Sequence, residues 1–456
     1  MAPHSGERRP PAWQDRSVLL RSSALAAGLA LALVGCGAVM PGANVDVQAV
    51  ASQDGPGVSD ESVKVVFIAV DLDAVQKLTG FETASVGDQE AQIQALEDWV
   101  NDNGGLGGRD MEAVYRLYDA AKDTPAAEEQ LCNQITQDDK AFAVVLTGQY
   151  QPNARPCYAQ RQTLMLDAAL MPHDEQYYEE LHPYLWTASY PEYGAFATGM
   201  VDALDEQGFF EGAARIGVIA SDSEVNRRVG DNLVVPALEK LGVEADLAWI
   251  DSTDTTTIFT GLTQAATTYQ GKGVDRVMFL GGARMAPLFA SVSGTTGFTA
   301  RMAVSSFDNP TYFVNNPTKI PEGVTDGMVG LGFHPPVEVK DDVLPFPGDQ
   351  EKVCTDIYAD GGVEFASRES ARVALPYCDA TRLLKLGADQ LDGSLNATSW
   401  AEAIGSAGAE FTTASGFGGA LGGDSHAAAG GYFLMRFDDG CGCYVYEGEE
   451  RSFDAE

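Results

Sequence analysis

Asn101-Asp102-Asn103-Gly104-Gly105-Leu106-Gly107-Gly108-Arg109 is the stretch that decides the fold. Its glycines beside an arginine first suggest a phosphate-cradling loop. A dinucleotide fingerprint, however, needs its glycines between a strand and the helix that strand opens into. Here they follow Ile93, Leu96 and Val100, spaced as one face of a helix, and they lead into the strand-like run Glu112–Tyr118. The stretch therefore reads as a helix C-cap and tight turn, where glycine takes positive φ. Helix, turn and strand form one unit of a longer alternation.

Working outward, Val63–Val70 predicts a buried strand, and a helix follows over Asp88–Asn101. After Glu112–Tyr118 come a helix over Glu128–Gln137 and strands at Phe142–Leu146 and Thr163–Leu166. The pattern then restarts with helix Tyr193–Gln207 and strand Arg215–Ala220. Further helices over Glu224–Leu241, Ile258–Gln270 and Arg284–Val292 lead to strands Ala245–Ile250, Arg276–Leu280 and Met302–Ser305. Strands alternating with helices of this length predict βαβ units and parallel sheets covered on both faces. Two consecutive sets predict an α/β protein of two doubly wound, Rossmann-like lobes joined by a hinge. Beyond Asp308 the order loosens: prolines 310, 317 and 321, a strand at Met328–Phe333, helices near Asp349–Tyr358 and Arg368–Gln390, and a hairpin of Tyr432–Phe437 with Tyr444–Tyr446. This order assigns residues 62–190 plus 309–415 to lobe 1 and residues 191–308 plus 425–456 to lobe 2.

The N-terminus carries a different message. Arg8, Arg9, Arg16 and Arg21 precede the uncharged segment Ser22–Val34, and Leu33-Val34-Gly35-Cys36 follows. A basic segment, a short apolar core and small residues at the cut predict a secretory signal over residues 1–35. The core is too short for a stable membrane span, which needs about 20 apolar residues. Leu-Val-Gly-Cys resembles the bacterial lipoprotein box, which implies lipidation of Cys36 and contact with the membrane through that anchor only. Residues 36–61, rich in Gly, Ala, Pro, Ser and Asp, read as a flexible tether. The net charge of −37 argues against nucleic acid as partner, since phosphate binding needs clustered Lys and Arg. Cys132, Cys157, Cys354, Cys378, Cys441 and Cys443 remain after Cys36. An even count in an exported chain reads as disulfides, and the spacing favours Cys132–Cys157 and Cys354–Cys378, with Cys441 and Cys443 able to close on each other. No histidine stands near them at zinc-ligand spacing, so no metal and no cofactor is expected.

The Asn-Asp-Asn-Gly-Gly…Gly-Arg turn, followed by a strand and Asp119, resembles a signature of type I periplasmic-binding folds. The closest subgroup is the branched-chain amino-acid type of substrate-binding protein, and the resemblance runs from about Ser62 to Tyr446. It implies a monomer that captures a small-molecule ligand between its lobes and delivers it to the membrane permease of an ABC transporter. The Cys132–Cys157 pair in the first lobe belongs to that resemblance. The chain departs from the family where Asp71-Leu72-Asp73 replaces the usual Gly-Pro-x-(Ser/Thr)-Gly after the first strand. It departs again at Ser221-Asp222-Ser223-Glu224, so leucine itself is not implied as the ligand.

Ligands of open α/β sheets sit beyond the carboxyl ends of the strands. That rule selects Asp71, Thr147, Gly148, Gln149, Asp167 and Ala168 in lobe 1, and Asp222, Glu224, Gly282 and Asp308 in lobe 2. Tyr193 resembles an aromatic that the family sets beside the ligand. Backbone N–H groups around Thr147-Gly148-Gln149 suit a carboxylate. Asp222 or Glu224 with a tyrosine face suits an ammonium, so an amino acid or a related amide or amine is the expected ligand. Each acidic residue has a plainer reading as a helix N-cap. Catalysis has little support: His173, His182, His334 and His426 pair with no nucleophile elbow, and no His-Glu-x-x-His occurs. A ligand sensor of the same fold and an extracellular hydrolase are the alternatives.

Overall fold

The computed structural model describes residues 53–82, 85–281, 285–419, 421 and 425–453. The predicted signal segment, Cys36, Gly282 and Arg284 lie outside the described residues. Five parallel strands form the first sheet: β1 Ser62–Val70, β2 Asp110–Tyr118, β3 Ala143–Leu146, β4 Leu164–Asp167 and β5 Leu185–Trp186, in the order β2-β1-β3-β4-β5. From Val65 to Ala69 β1 is wholly buried, because helices cover both faces of a parallel sheet. The Asn101–Arg109 turn is built as its residues predict. The Asn101 amide brackets Met111, accepting from its N–H at 2.7 Å and donating to its carbonyl at 3.1 Å. Gly105 has φ +74°, and a Cβ there would stand 2.1 Å from the Arg109 carbonyl oxygen.

The second sheet holds β6 Arg215–Ser221, β7 Glu244–Ile250, β8 Arg276–Leu280, β9 Arg301–Ser305, β10 Val329–Gly332, β11 Gly431–Asp438 and β12 Cys443–Ser452. Its order is β12-β11-β10-β9-β8-β6-β7, and only the pairs β10–β11 and β11–β12 are antiparallel. The C-terminal hairpin thus extends an otherwise parallel sheet. Helices Asp349–Asp360, Ala374–Ala388 and Ala397–Ala407 return to the first lobe, where Tyr358, Leu384 and Trp400 share a core with Phe67, Leu96 and Phe142. Cys132–Cys157 and Cys354–Cys378 are joined with Cα–Cα separations of 6.4 and 5.9 Å, and Cys441–Cys443 is joined as well.

Two expectations are corrected. First, residues 309–344 stay with lobe 2 and do not return to lobe 1: β10 pairs with β9 in the second sheet, and Phe313, Ile320 and Met328 enter that lobe's core. The chain crosses back only between Leu344, packed on the second core, and Phe346, packed on the first. The sequence predicts the strand itself at Met328–Phe333, but order along the chain does not say which sheet a strand joins; its closeness to β9 shows at Gly330, where a Cβ would lie 1.7 Å from the Val304 carbonyl oxygen. Likewise Ala427 and Ala428 stay with the first lobe, Ala427 bridging to Thr187, and the second lobe resumes at β11. Second, residues 53–61 are no free tether. Gly55 N–H donates to Leu395 O at 2.8 Å, Asn396 Nδ2 to Gln53 O at 2.8 Å, and Lys64 N–H to Gly57 O at 2.9 Å. Leu72–Thr79, which the sequence reading leaves unassigned, is a helix capped by Asp71, whose carboxylate accepts the Ala74 N–H at 3.0 Å.

Candidate functional site

Both sheets lie in one unit, residues 46–456, and their lobes meet directly. Asp174 on the first lobe holds Arg228 on the second through two hydrogen bonds of 2.7 Å. Gln151 Nε2 donates to Ser252 O at 3.1 Å, and Glu82 and Asn316 exchange hydrogen bonds of 2.6 and 3.1 Å. Two cavities lie between these contacts, each lined from both lobes. The larger, about 510 Å³, is bordered by Tyr150, His173, Tyr177, Glu180, Asp222, Glu224 and Arg227, among others. The smaller, about 90 Å³, is bordered by Val70, Leu72, Val75, Leu78, Ile258, Leu288 and Tyr312 and again by Tyr150. Tyr150 is the wall they share.

The predicted residues divide among different roles. Asp222 and Glu224 reach the larger cavity, at the end of β6 and in the first turn of helix Glu224–Val229. Asp222 is not free: Arg227 grips it bidentately at 2.6 and 2.9 Å, with the guanidinium 4.8 Å over the Trp249 ring. Asp71 stands between two lining residues of the smaller cavity, occupied as a helix cap. Thr147, Gly148 and Gln149 support the site from behind. The Thr147 hydroxyl bonds the Ile68 carbonyl, and Gly148 at φ +67° lets the chain leaving β3 pass where a Cβ would meet Val70 at 2.6 Å. Gln149 is fully buried, and neither side-chain polar atom has a protein partner.

Asp167 anchors a buried charge network beneath the larger cavity. It receives Arg155 Nε at 2.9 Å and lies 2.8 Å from His173 Nε2. Burial alone pushes its pKa up, but Arg155 and His173 outweigh that and hold the carboxyl well below its usual range. Glu128 lies 3.9 Å from Arg155 and accepts the Gln151 N–H; burial pushes its carboxyl up. Ala168 only passes the chain along, its carbonyl accepting from Tyr190 Oη at 3.1 Å. Two predicted residues belong to the second core. Tyr193 has no exposure and stacks on Phe196 at 5.6 Å. Asp308 is buried, caps Ser305 through its N–H at 2.8 Å, and is pushed up to about 8 by burial. Sequence reasoning passed over Tyr150, Arg155 and the apolar wall. The spacing of Leu72, Val75 and Leu78 was a readable helical signal, but it is only two turns long.

The profile of a family described as periplasmic binding protein matches residues 74–351. No curated protein sequence matches the chain. Among solved structures, a solute binding protein of an ABC transporter from R. palustris, in complex with 4-hydroxybenzoate, superposes with a TM-score of 0.60 at 14% identity, covering 86% of this chain and 97% of that one. A fatty acid ABC transporter substrate-binding protein from Thermomonospora curvata gives 0.59 at 14% identity over 88% and 95%. A branched-chain amino acid transporter substrate binding protein from Streptococcus pneumoniae, in complex with isoleucine, gives 0.55 at 15% identity over 86% and 99%. At such identities the likeness concerns the fold.

Proposed function

The chain belongs to the periplasmic binding protein family, and on that premise we propose that it captures a small solute between its two lobes for an ABC-type uptake system. The observation that carries this reading is the pair of cavities lined jointly by both lobes and meeting at Tyr150. A solute held there touches both lobes only while they are closed, so binding favours closure. Tyr150, Tyr177, Glu180 and Glu224 around the larger cavity suit an ammonium or amide group. This supports an amino acid or a related amide or amine over a sugar. Cys36 would be the lipidated residue that keeps the protein at the outer face of the membrane, beside the permease. Among the described residues no helix is long and apolar enough to cross a membrane. The solute leaves unchanged, without a cofactor and without catalysis.

A thermal-shift panel of amino acids, amides, polyamines and sugars tests the reading, because a solute that binds only the folded state raises its midpoint by mass action. Hits are confirmed by calorimetry and recovered for mass spectrometry. A panel without hits, or a hit recovered chemically altered, would sink the proposal.

A further inference from the structure

Helix Leu72–Thr79 puts Leu72, Val75 and Leu78 on one stripe, at i, i+3 and i+6. None of its residues is buried, and Leu78 stays 51% exposed, so the stripe is not spent on a core. All three side chains instead border the smaller cavity, facing Ile258, Leu288 and Tyr312 of the other lobe. No residue lining that cavity is charged.

The helix is fixed at both ends. Asp71 caps it at the tip of β1. Just beyond it, Phe81 is buried in the second lobe's core, its ring 6.5 Å from that of Tyr312, and Glu82 exchanges hydrogen bonds with Asn316. The helix thus belongs to the first lobe, is strapped to the second, and roofs the space between them. A cation, Arg372, stands behind the wall, bonded to Asn309 and 5.6 Å over the Tyr312 ring. A charged group pressed against the wall itself would lose its hydration and meet no charged lining residue, whereas an apolar group would lose nothing.

Building on the solute-capture reading, we propose that helix Leu72–Thr79 is the specificity element of the cleft. The solute then carries one compact, uncharged aliphatic or aromatic end, seated on Leu72, Val75 and Leu78. Its polar end lies past Tyr150, in the larger cavity.

The experiment is calorimetry on the full chain with probes that share a polar head and differ at the far end: L-leucine and L-phenylalanine against L-aspartate and L-lysine, and benzoate against terephthalate. Within each set that binds, the apolar-ended probe is expected to bind at least tenfold tighter. Leu78→Asp should cut that preference below threefold, while Leu78→Met retains it. Leu78 is half exposed, so the midpoint of either variant should stay close to that of the parent; should Leu78→Asp fail to fold, Leu78→Ser replaces it. A charged-ended probe binding as tightly as its apolar partner would overturn the specificity proposal and leave solute capture standing, as would a preference untouched by Leu78→Asp. Absence of binding by every probe would overturn both.

Discussion

The two cavities share Tyr150 and differ in how they treat charge. The smaller is walled by side chains with no charge at all. The larger is ringed by ionisable groups, but most of those are already committed: Asp222 to Arg227, and Asp167 to Arg155 and His173. The same contrast recurs one layer deeper. Asp167, behind the polar cavity, is compensated and held low. Asp308, beside the Asn309 that lines the apolar one, has only Ser305 for company and is pushed up to about 8. The difference teaches that a polar cleft need not be an empty set of charges awaiting a ligand. Much of its polarity is structural, and selectivity can reside in the apolar half.

The largest expected effect comes from breaking the compensation. Arg155→Leu leaves Asp167 buried without its cation and should cost about 3–5 kcal/mol of stability in guanidinium unfolding. A loss under about 1 kcal/mol would mean that the network is not what holds the polar half together. Next, Tyr150→Ala removes the shared wall and should weaken the best panel solute by tenfold or more, about 1.4 kcal/mol by calorimetry. Affinity within twofold of the parent would dissociate the two cavities.

Titration sharpens the contrast. Asp308 binds its proton more tightly folded than unfolded, so between about pH 4 and 8 the folded state holds the extra proton. Its contribution to stability therefore falls as pH rises through that window, and Asp308→Asn should flatten the decline seen in urea unfolding from pH 5 to 8. Asp167 acts oppositely: its folded pKa is depressed, so its contribution stands above the usual carboxylate range and is lost as pH falls below it. An unchanged slope in Asp308→Asn would show that the buried carboxyl does not set it. The smallest effect is expected from Tyr193→Phe, since that hydroxyl is buried without a protein partner. Solute affinity should not move and stability should hold or rise slightly; a tenfold loss of affinity would restore Tyr193 to the ligand shell.

Much of the fold was legible because βα alternation is a property of local sequence. Each strand from β1 to β9 shows as an apolar run or as the partner of an amphipathic helix, except β5, whose two residues Leu185–Trp186 are too few to show a pattern. β10 reads as a strand but is assigned to the wrong lobe, because order along the chain does not record that it pairs with β9. The site was less legible. Strand ends could be found, and Asp222 and Glu224 do reach a cavity. Whether a side chain at a strand end faces the cleft or the core depends on its neighbours, and Tyr193 and Asp308 turn inward for reasons no local spacing records. Gln53–Glu61 looked like linker by composition, but its backbone is paired to Leu395, Asn396 and Lys64.

That pairing sets a leash length. If Cys36 is the anchored residue, the chain available between it and the lobe is residues 37–52 and not 37–61. Fully extended, that stretch reaches at most about 60 Å, at roughly 3.3–3.6 Å per residue. The docked segment meets the lobe where β1 begins, and the cavities lie where β1 ends, nine residues away, or about 30 Å at the rise of a strand. The covalent limit is thus about twice the span of β1. A Cys36 anchor would therefore hold the start of the lobe within that covalent limit of the bilayer, and a permease could be met only inside that radius.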